Sequence, residues 1–417
     1  MPTKILLLVA AFTVSRIAQT TAVEPPIITP APAAESTLRP DQNGDKPNVA
    51  AIDAAMRDLI DRGEMIGAVT FVVDRDRWLH LGAVGSATLD PKTSLPSKPM
   101  TNDTVFAIAS MTKPITAVAM MKLLQRGSIK MSDPVSQYLP EFEGITLADG
   151  STPSQPITIA NLMTHTSGVD GPHWVNGSIT ETVTSIASRP LKFHPGSRWQ
   201  YSPGLTVCGR IIEVVDGRSF QTFLRDEIFD PLGMSDTRFY PTESMCDRIA
   251  TIVRPAKQPS EPSGGPRFEI ARNVHAATGM CDSIDAKSDD VRGPSPSAGL
   301  YSTAKDLAKF YQALLDDRLL TRSTLSTMTT NHTGELKAGF TAGCGWGYGV
   351  CVVRDPVGVT SMLSPGTFGH GGAFGTQGWI DPVRGRIYGL LIQRTGMPGG
   401  DASIIRQQFQ QLASELP

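Results

Sequence analysis

Hydrophobic spacing divides the chain into stretches of different character. In NVAAIDAAMRDLIDRGEM, Ile52, Met56 and Leu59 recur at helical spacing and Gly63 supplies a stop, so a helix is predicted. GAVTFVVDRD and RWLHLGAVGSATL follow, rich in β-branched and aromatic residues and meeting at charged turn residues, which predicts a hairpin. FAIASMTKPITAVAMMKLLQRG then places Ile115, Val118, Ala119, Lys122 and Leu123 at helical spacing, with Gly127 as the C-cap.

The middle of the chain reads as helices and irregular loops. PITIANLMTHTSGV predicts a short helix running into a turn. GLTVCGRIIEVVDGRSFQTFLRDEIFDPLGM predicts two helices broken at Asp216-Gly217. AKQPSEPSGGPRFE and KSDDVRGPSPSAG read as turn-rich insertions, and STAKDLAKFYQALLDD as a helix capped by Ser302 or Thr303 with Asp306 in its first turn. Strand patterns return in GWGYGVCVV, GTFGHGGAFGTQGWIDP and GRIYGLLIQRT. A last amphipathic helix carries Ile405, Phe409 and Leu412. Strands at both ends with helical mass between them predict an α/β (α+β) fold. One antiparallel sheet built from both chain ends is flanked by helices, and a mainly helical lobe, roughly residues 130–300, is inserted between the sheet-forming segments, leaving a cleft between the two.

The N-terminus differs. Lys4 precedes an apolar run from Ile5 to Val14, too short for a conventional membrane span and of signal-peptide character. Residues 1–22 are read as a signal peptide or short N-terminal anchor, 23–50 as a Pro/Ala-rich linker and 51–417 as the folded domain, so an exported protein, periplasmic or secreted or held by that anchor, is expected. A hydrophobic fraction of 40% with 39 Gly and 32 Pro describes a loop-rich globular protein. A net charge of −2 with no Lys/Arg run gives no field for nucleic acid. The five cysteines show no CxxC pair and are read as small buried residues, although Cys344 and Cys351 are close in sequence. Seven histidines without HExxH or ligand spacing argue against a metal, GCGWGYG lacks the strand-turn-helix context of a dinucleotide loop, and no G-x-S-x-G elbow occurs. No cofactor is expected, and the oligomeric state stays open.

Ser110 and Lys113 are the candidate chemistry. Three residues apart at a helix start, they share a face about 5–6 Å apart at Cβ. A serine hydroxyl needs a base beside it, and a desolvated lysine can be one. An N-cap serine with an exposed lysine fits the same four residues. HPGSRWQYSPG adds Tyr201 ahead of a helix, and His370-Gly371-Gly372 lie on a strand where glycines let a substrate lie against the edge.

With SMTK at 110–113, LMTHTSGV at 162–169, PGSRWQYS at 195–202, STAKDLAKF at 302–310 and GHGG at 369–372, the chain resembles the serine β-lactamase and penicillin-binding-protein superfamily. Within it, the chain is most similar to the class C-like branch with its family VIII carboxylesterases. The resemblance implies Ser110 as the acylated nucleophile, Lys113 as its activator and Tyr201 as the partner in proton transfer. His370, Gly371 and Gly372 take the place of the substrate-lining Lys-Thr-Gly strand. The backbone N–H groups of Ser110 and Ala373 become the oxyanion hole. Two departures stand out. The Tyr-x-Asn motif is Tyr201-Ser202-Pro203, and His370 replaces the lysine that faces a substrate carboxylate. Both tilt the expectation toward a carboxylesterase on small esters. A β-lactamase, a D-Ala-D-Ala-type carboxypeptidase or D-aminopeptidase, and a non-catalytic covalent ligand-binding sensor remain as alternatives. The lost charge is restored if His370 is protonated beside a bound anion, or if Arg384 or Arg394 reaches in from the strand region. His165 is expected to fix a turn at the cleft wall, and Trp346, Tyr348 and Trp379 to pack in the core.

Overall fold

The computed structural model describes residues 47–173, 177–256, 267–271 and 294–417. The segments read as leader and most of the linker, most of both turn-rich insertions, and Cys281 lie outside them.

Helix α1 (Pro47–Asp61) forms where predicted, and Ile52, Met56 and Leu59 are fully buried. They meet Ile405 and Phe409 of α7 (Ile404–Ser414) in one apolar layer. Burying each such side chain contributes about 1.5–3 kcal/mol. Tertiary packing, rather than propensity, therefore holds these helices. Strands β1 (Gly67–Val73) and β2 (Trp78–Gly85) make the predicted hairpin. Every residue of β1 is buried, and alternation sends Val69, Phe71 and Val73 to one face and Ala68 and Val72 to the other. A strand covered on both faces needs such an apolar run, and its one polar member, Thr70, meets His80 Nε2 at 2.8 Å.

The predicted antiparallel sheet from both chain ends is present. Strands β7 (Cys344–Trp346), β8 (Cys351–Val353), β9 (Phe368–Gly371), β10 (Gln377–Asp381) and β11 (Arg386–Leu391) join the N-terminal hairpin in the order β2-β1-β11-β10-β9-β8-β7. Val69 pairs with Leu391 and Gly371 with Gln377. Helices α1 and α7 cover one face; α2 (Thr112–Gln125) and α6 (Ala304–Leu315), capped by Thr303, cover the other. Between the sheet segments lie mainly helices, among them α3 (Ile159–Met163), α4 (Ile179–Ala187) and α5 (Gly204–Asp216), the last closed by Gly217 at φ 85°.

Four readings need correction. Helix α2 carries no single apolar stripe: eleven of its residues, from Thr112 to Met121 and Leu123, are buried, because it runs between the sheet and α5. Ser110 sits in a short 3-10 turn, Ala109–Met111, just ahead of α2. The flanks of the first insertion pair as β4 (Val253–Pro255) and β5 (Phe268–Ile270). Cys208, Cys344 and Cys351 are buried free thiols, but Cys246 is disulfide-bonded. Local spacing carries no signal for such a bridge. No helix among the described residues is long and apolar enough to cross a membrane.

Candidate active site

The serine is presented by a strained turn. Strand β3 (Phe106–Ala107) pairs with β6 (Tyr301–Ser302), and Ile108 N–H continues the ladder to Leu300 O at 3.0 Å. Ala109 then adopts φ 45°, a left-handed conformation costing about 1–3 kcal/mol, and turns the chain into α2 with Ser110 part-exposed. Neither the Ser110 nor the Ala373 N–H has a hydrogen-bond acceptor among the described residues, so both are free to donate to a developing oxyanion. Gly372 brings β9 against this turn. A Cβ there would stand 2.5 Å from Ile108 O and 2.1 Å from Thr376 Oγ1, so only glycine lets the two segments meet.

The structure brings Ser110, Lys113 and Tyr201 together. Tyr201 OH donates to Ser110 Oγ at 2.9 Å, and Lys113 Nζ lies 3.3 Å from the same oxygen. Lys113 Nζ also donates to Ser297 O at 2.8 Å and stands 4.6 Å from the centre of the Tyr201 ring. No carboxylate among the described residues pairs with it. Burial therefore pushes its ammonium down to about 7, so an appreciable fraction is neutral amine at physiological pH. Burial pushes the Tyr201 phenol upward, which keeps it protonated.

Ser297 is a contact that sequence reasoning missed. It lies in the insertion read only as turns, yet its carbonyl orients the lysine and its hydroxyl bonds Thr206 Oγ1 at 2.8 Å. Next to it, Pro296 O accepts from Thr116 Oγ1 at 2.6 Å. Gly209 of α5 admits this loop: a Cβ there would lie 2.2 Å from Pro296 Cγ. The Pro-Ser-Pro-Ser-Ala-Gly pattern announces a turn and nothing about its neighbours.

Three histidines surround the lysine without adding charge. His165, with φ 58°, is fully buried; its Nδ1 is 3.2 Å from Ser202 Oγ and its carbonyl accepts from Gln200 N–H at 3.0 Å. It fixes the turn at the cleft wall as expected. His370 Nδ1 donates to Gly371 O at 2.5 Å, which assigns the proton to that nitrogen. Burial, with Lys113 nearby, holds His370 down to about 4, and burial holds His173 down to about 3. Each is neutral at neutral pH. Trp346 and Trp379 are buried, and Tyr348 stacks on His332 with ring centres 3.9 Å apart, all three in packing roles as expected.

A cavity of about 320 Å³ opens over Ser110, lined by Tyr201, Phe340, His370, Met397, Asp401 and the backbone of residues 371–373. Phe340, Met397 and Asp401 carry no motif and were not legible in the sequence. Neither arginine offered as a substitute cation lines this cavity. Arg394 is tied to Glu64 at 3.3 Å and lies over the Phe268 ring, while Arg384 donates to Ser414 O at 3.3 Å. Among the described residues no cluster of three metal-ligating side chains occurs.

An antiparallel sheet backed by helices, with serine, lysine and tyrosine converging near the end of β9, defines a serine hydrolase of the β-lactamase type. The chain belongs to the Beta-lactamase family, whose model matches residues 52–413. It is similar to esterase EstB of Burkholderia gladioli, 30% identical over 371 residues, covering 84% of this chain and 91% of that one. Lovastatin esterase of Penicillium rubens is 29% identical, covering 68% of this chain and 73% of its own. In fold the chain resembles simvastatin synthase from Aspergillus terreus, with TM-score 0.71, 19% identity, and coverage of 88% of this chain and 98% of the synthase.

Proposed function

We propose that this protein is a carboxylesterase that hydrolyses small esters through an acyl-enzyme on Ser110. The observation that carries the reading is the convergence of Tyr201 OH and a buried Lys113 Nζ, with no carboxylate partner among the described residues, on Ser110 Oγ. Esterase relatives support the substrate class. Neutral Lys113 takes the Ser110 proton as Oγ attacks the ester carbonyl. The carbonyl oxygen gathers charge against the N–H groups of Ser110 and Ala373. Tyr201, still a phenol, gives its proton to the leaving alkoxide, and the ammonium on Lys113 restores it. Water then attacks the acyl-enzyme, the same pair accepts its proton, and Ser110 is regenerated with release of the acid.

The lysine sets the pH dependence. Its folded-state pKa is depressed to about 7, so the active neutral form is lost as pH falls below that value. kcat/KM for p-nitrophenyl acetate is expected to rise about tenfold per pH unit below 6.5 and to level off above 8. The histidines, neutral across this range, do not mask the step. A flat profile from pH 5.5 to 8 would remove Lys113 as the base.

Export belongs to the same proposal and rests on Lys4 and the apolar run from Ile5 to Val14. N-terminal sequencing of the protein from its native host is expected to show loss of about 20 residues. An intact Met1 in a cytosolic fraction overturns it.

A further inference from the structure

Among the described residues that line the cavity over Ser110, Asp401 is the one Asp, Glu, Lys or Arg. It stands in the 3-10 turn Gly400–Ala402. Its Oδ2 accepts from Arg406 Nη1 at 2.6 Å and its Oδ1 from Gln377 Nε2 at 2.9 Å, which leaves lone pairs unused on a carboxylate. Gly371 makes room for it, since a Cβ there would lie 2.4 Å from Asp401 Oδ1. The counter-ion is not in the cavity. Arg406 is fully buried behind the carboxylate, with its guanidinium 4.3 Å from the centre of the Trp379 ring. The pair therefore presents its negative end to the substrate.

Aromatic surface completes the arrangement. Phe340 is 53% exposed, and its ring centre lies 4.9 Å from that of Tyr201 at the cavity wall. An aromatic ring and a carboxylate lining one cavity are the groups that hold an ammonium, above all a quaternary one that cannot form hydrogen bonds. An anion meets the opposite: a carboxylate, a neutral His370 and no lining cation.

We propose that this cavity is a cation site, selecting esters that carry a quaternary or protonated ammonium group held by Asp401 and Phe340. The inference rests on Ser110 hydrolysing esters. The reaction is unchanged by it: water and the ester give acid and alcohol, with the ammonium group a spectator.

The test pairs p-nitrophenyl 4-(trimethylammonio)butyrate with its neutral isostere, p-nitrophenyl 5,5-dimethylhexanoate. Wild-type kcat/KM is expected to favour the cation at least about fivefold, with the preference falling as salt rises. Asp401→Asn combined with Arg406→Met, which removes the buried charge together with its partner, is expected to abolish the preference. Phe340→Leu, at an exposed position, is expected to halve it at least while both esters are still cleaved. Equal or lower kcat/KM for the cation in the wild type overturns the proposal, as does an undiminished preference in both variants. Calorimetric titration with choline against 3,3-dimethyl-1-butanol separates this site from the hydrolytic reading. Choline binding by a chain that cleaves neither ester supports the site and rejects the esterase. Cleavage of the neutral ester without choline binding or a cation preference does the reverse.

Discussion

Ser110→Ala is expected to lower kcat/KM for p-nitrophenyl acetate at least about 1,000-fold and to abolish labelling by a serine-directed phosphonate. The wild-type hydroxyl receives Tyr201 OH at 2.9 Å and lies 3.3 Å from Lys113 Nζ, so its loss leaves base and acid with no nucleophile between them. Because the three groups act as a unit, adding Lys113→Met to Ser110→Ala is expected to cost little more. The fold should survive. Ser110 is part-exposed, so removing its oxygen opens no core cavity, and the orphaned phenol costs roughly 0.5–1.5 kcal/mol. Circular dichroism and a Tm within a few degrees of wild type check this. Near-wild-type turnover in the variant would move the nucleophile elsewhere. Stoichiometric labelling of the wild type without turnover of any simple ester would instead identify a covalent sensor.

A short-chain p-nitrophenyl ester is expected to exceed a chromogenic cephalosporin in kcat/KM at neutral pH by at least about tenfold. A cephalosporin carries a carboxylate and an acylamido group, and the contacts that usually hold them are absent. Pro203 stands where the asparagine amide is expected, and its ring begins α5 as the N-cap. His370 replaces a lysine and is held down to about 4 by burial, so it is uncharged at pH 7 and still mostly uncharged at pH 5. Lowering the pH therefore does not rescue the lactam. Hydrogen bonds to charged groups contribute about 1.5–3 kcal/mol. At about 1.4 kcal/mol per decade, losing one costs roughly ten- to a hundredfold. Asp401 adds repulsion where compensation was possible, and Arg384 and Arg394 are engaged elsewhere. A larger kcat/KM for the cephalosporin overturns the ranking and leaves the Ser110–Lys113–Tyr201 geometry standing.

The departures from the family pattern were legible as substitutions, but their consequence was not. A histidine for a lysine could have carried a charge beside a bound anion. Its neutrality follows from complete burial, from Lys113 nearby and from a proton committed to Gly371 O. Likewise, two arginines on or after the last strands looked able to reach the site. Only their partners, Glu64 and Ser414 O, show that they do not.

What the amino-acid order determined by itself is local. Ser110 and Lys113 lie three residues apart, across a 3-10 turn and the first turn of α2, so their proximity is local and needs no other part of the chain. The apolar run of β1, which has to be covered on both faces, and the spacing of Ile52, Met56 and Leu59, which has to be covered on one, similarly dictated burial and with it the layered fold. Tertiary structure decided everything that depends on distant segments meeting. Ser297 reaches Lys113 across 184 residues, and Asp401 reaches the cavity only because Gly371 and Gly372 let β9 close against its neighbours. Such contacts leave no periodic trace, since a turn sequence specifies how the chain bends and not what lies beside the bend. The depressed lysine pKa has the same origin: desolvation is a property of the packed surroundings, to which the lysine itself contributes only its charge.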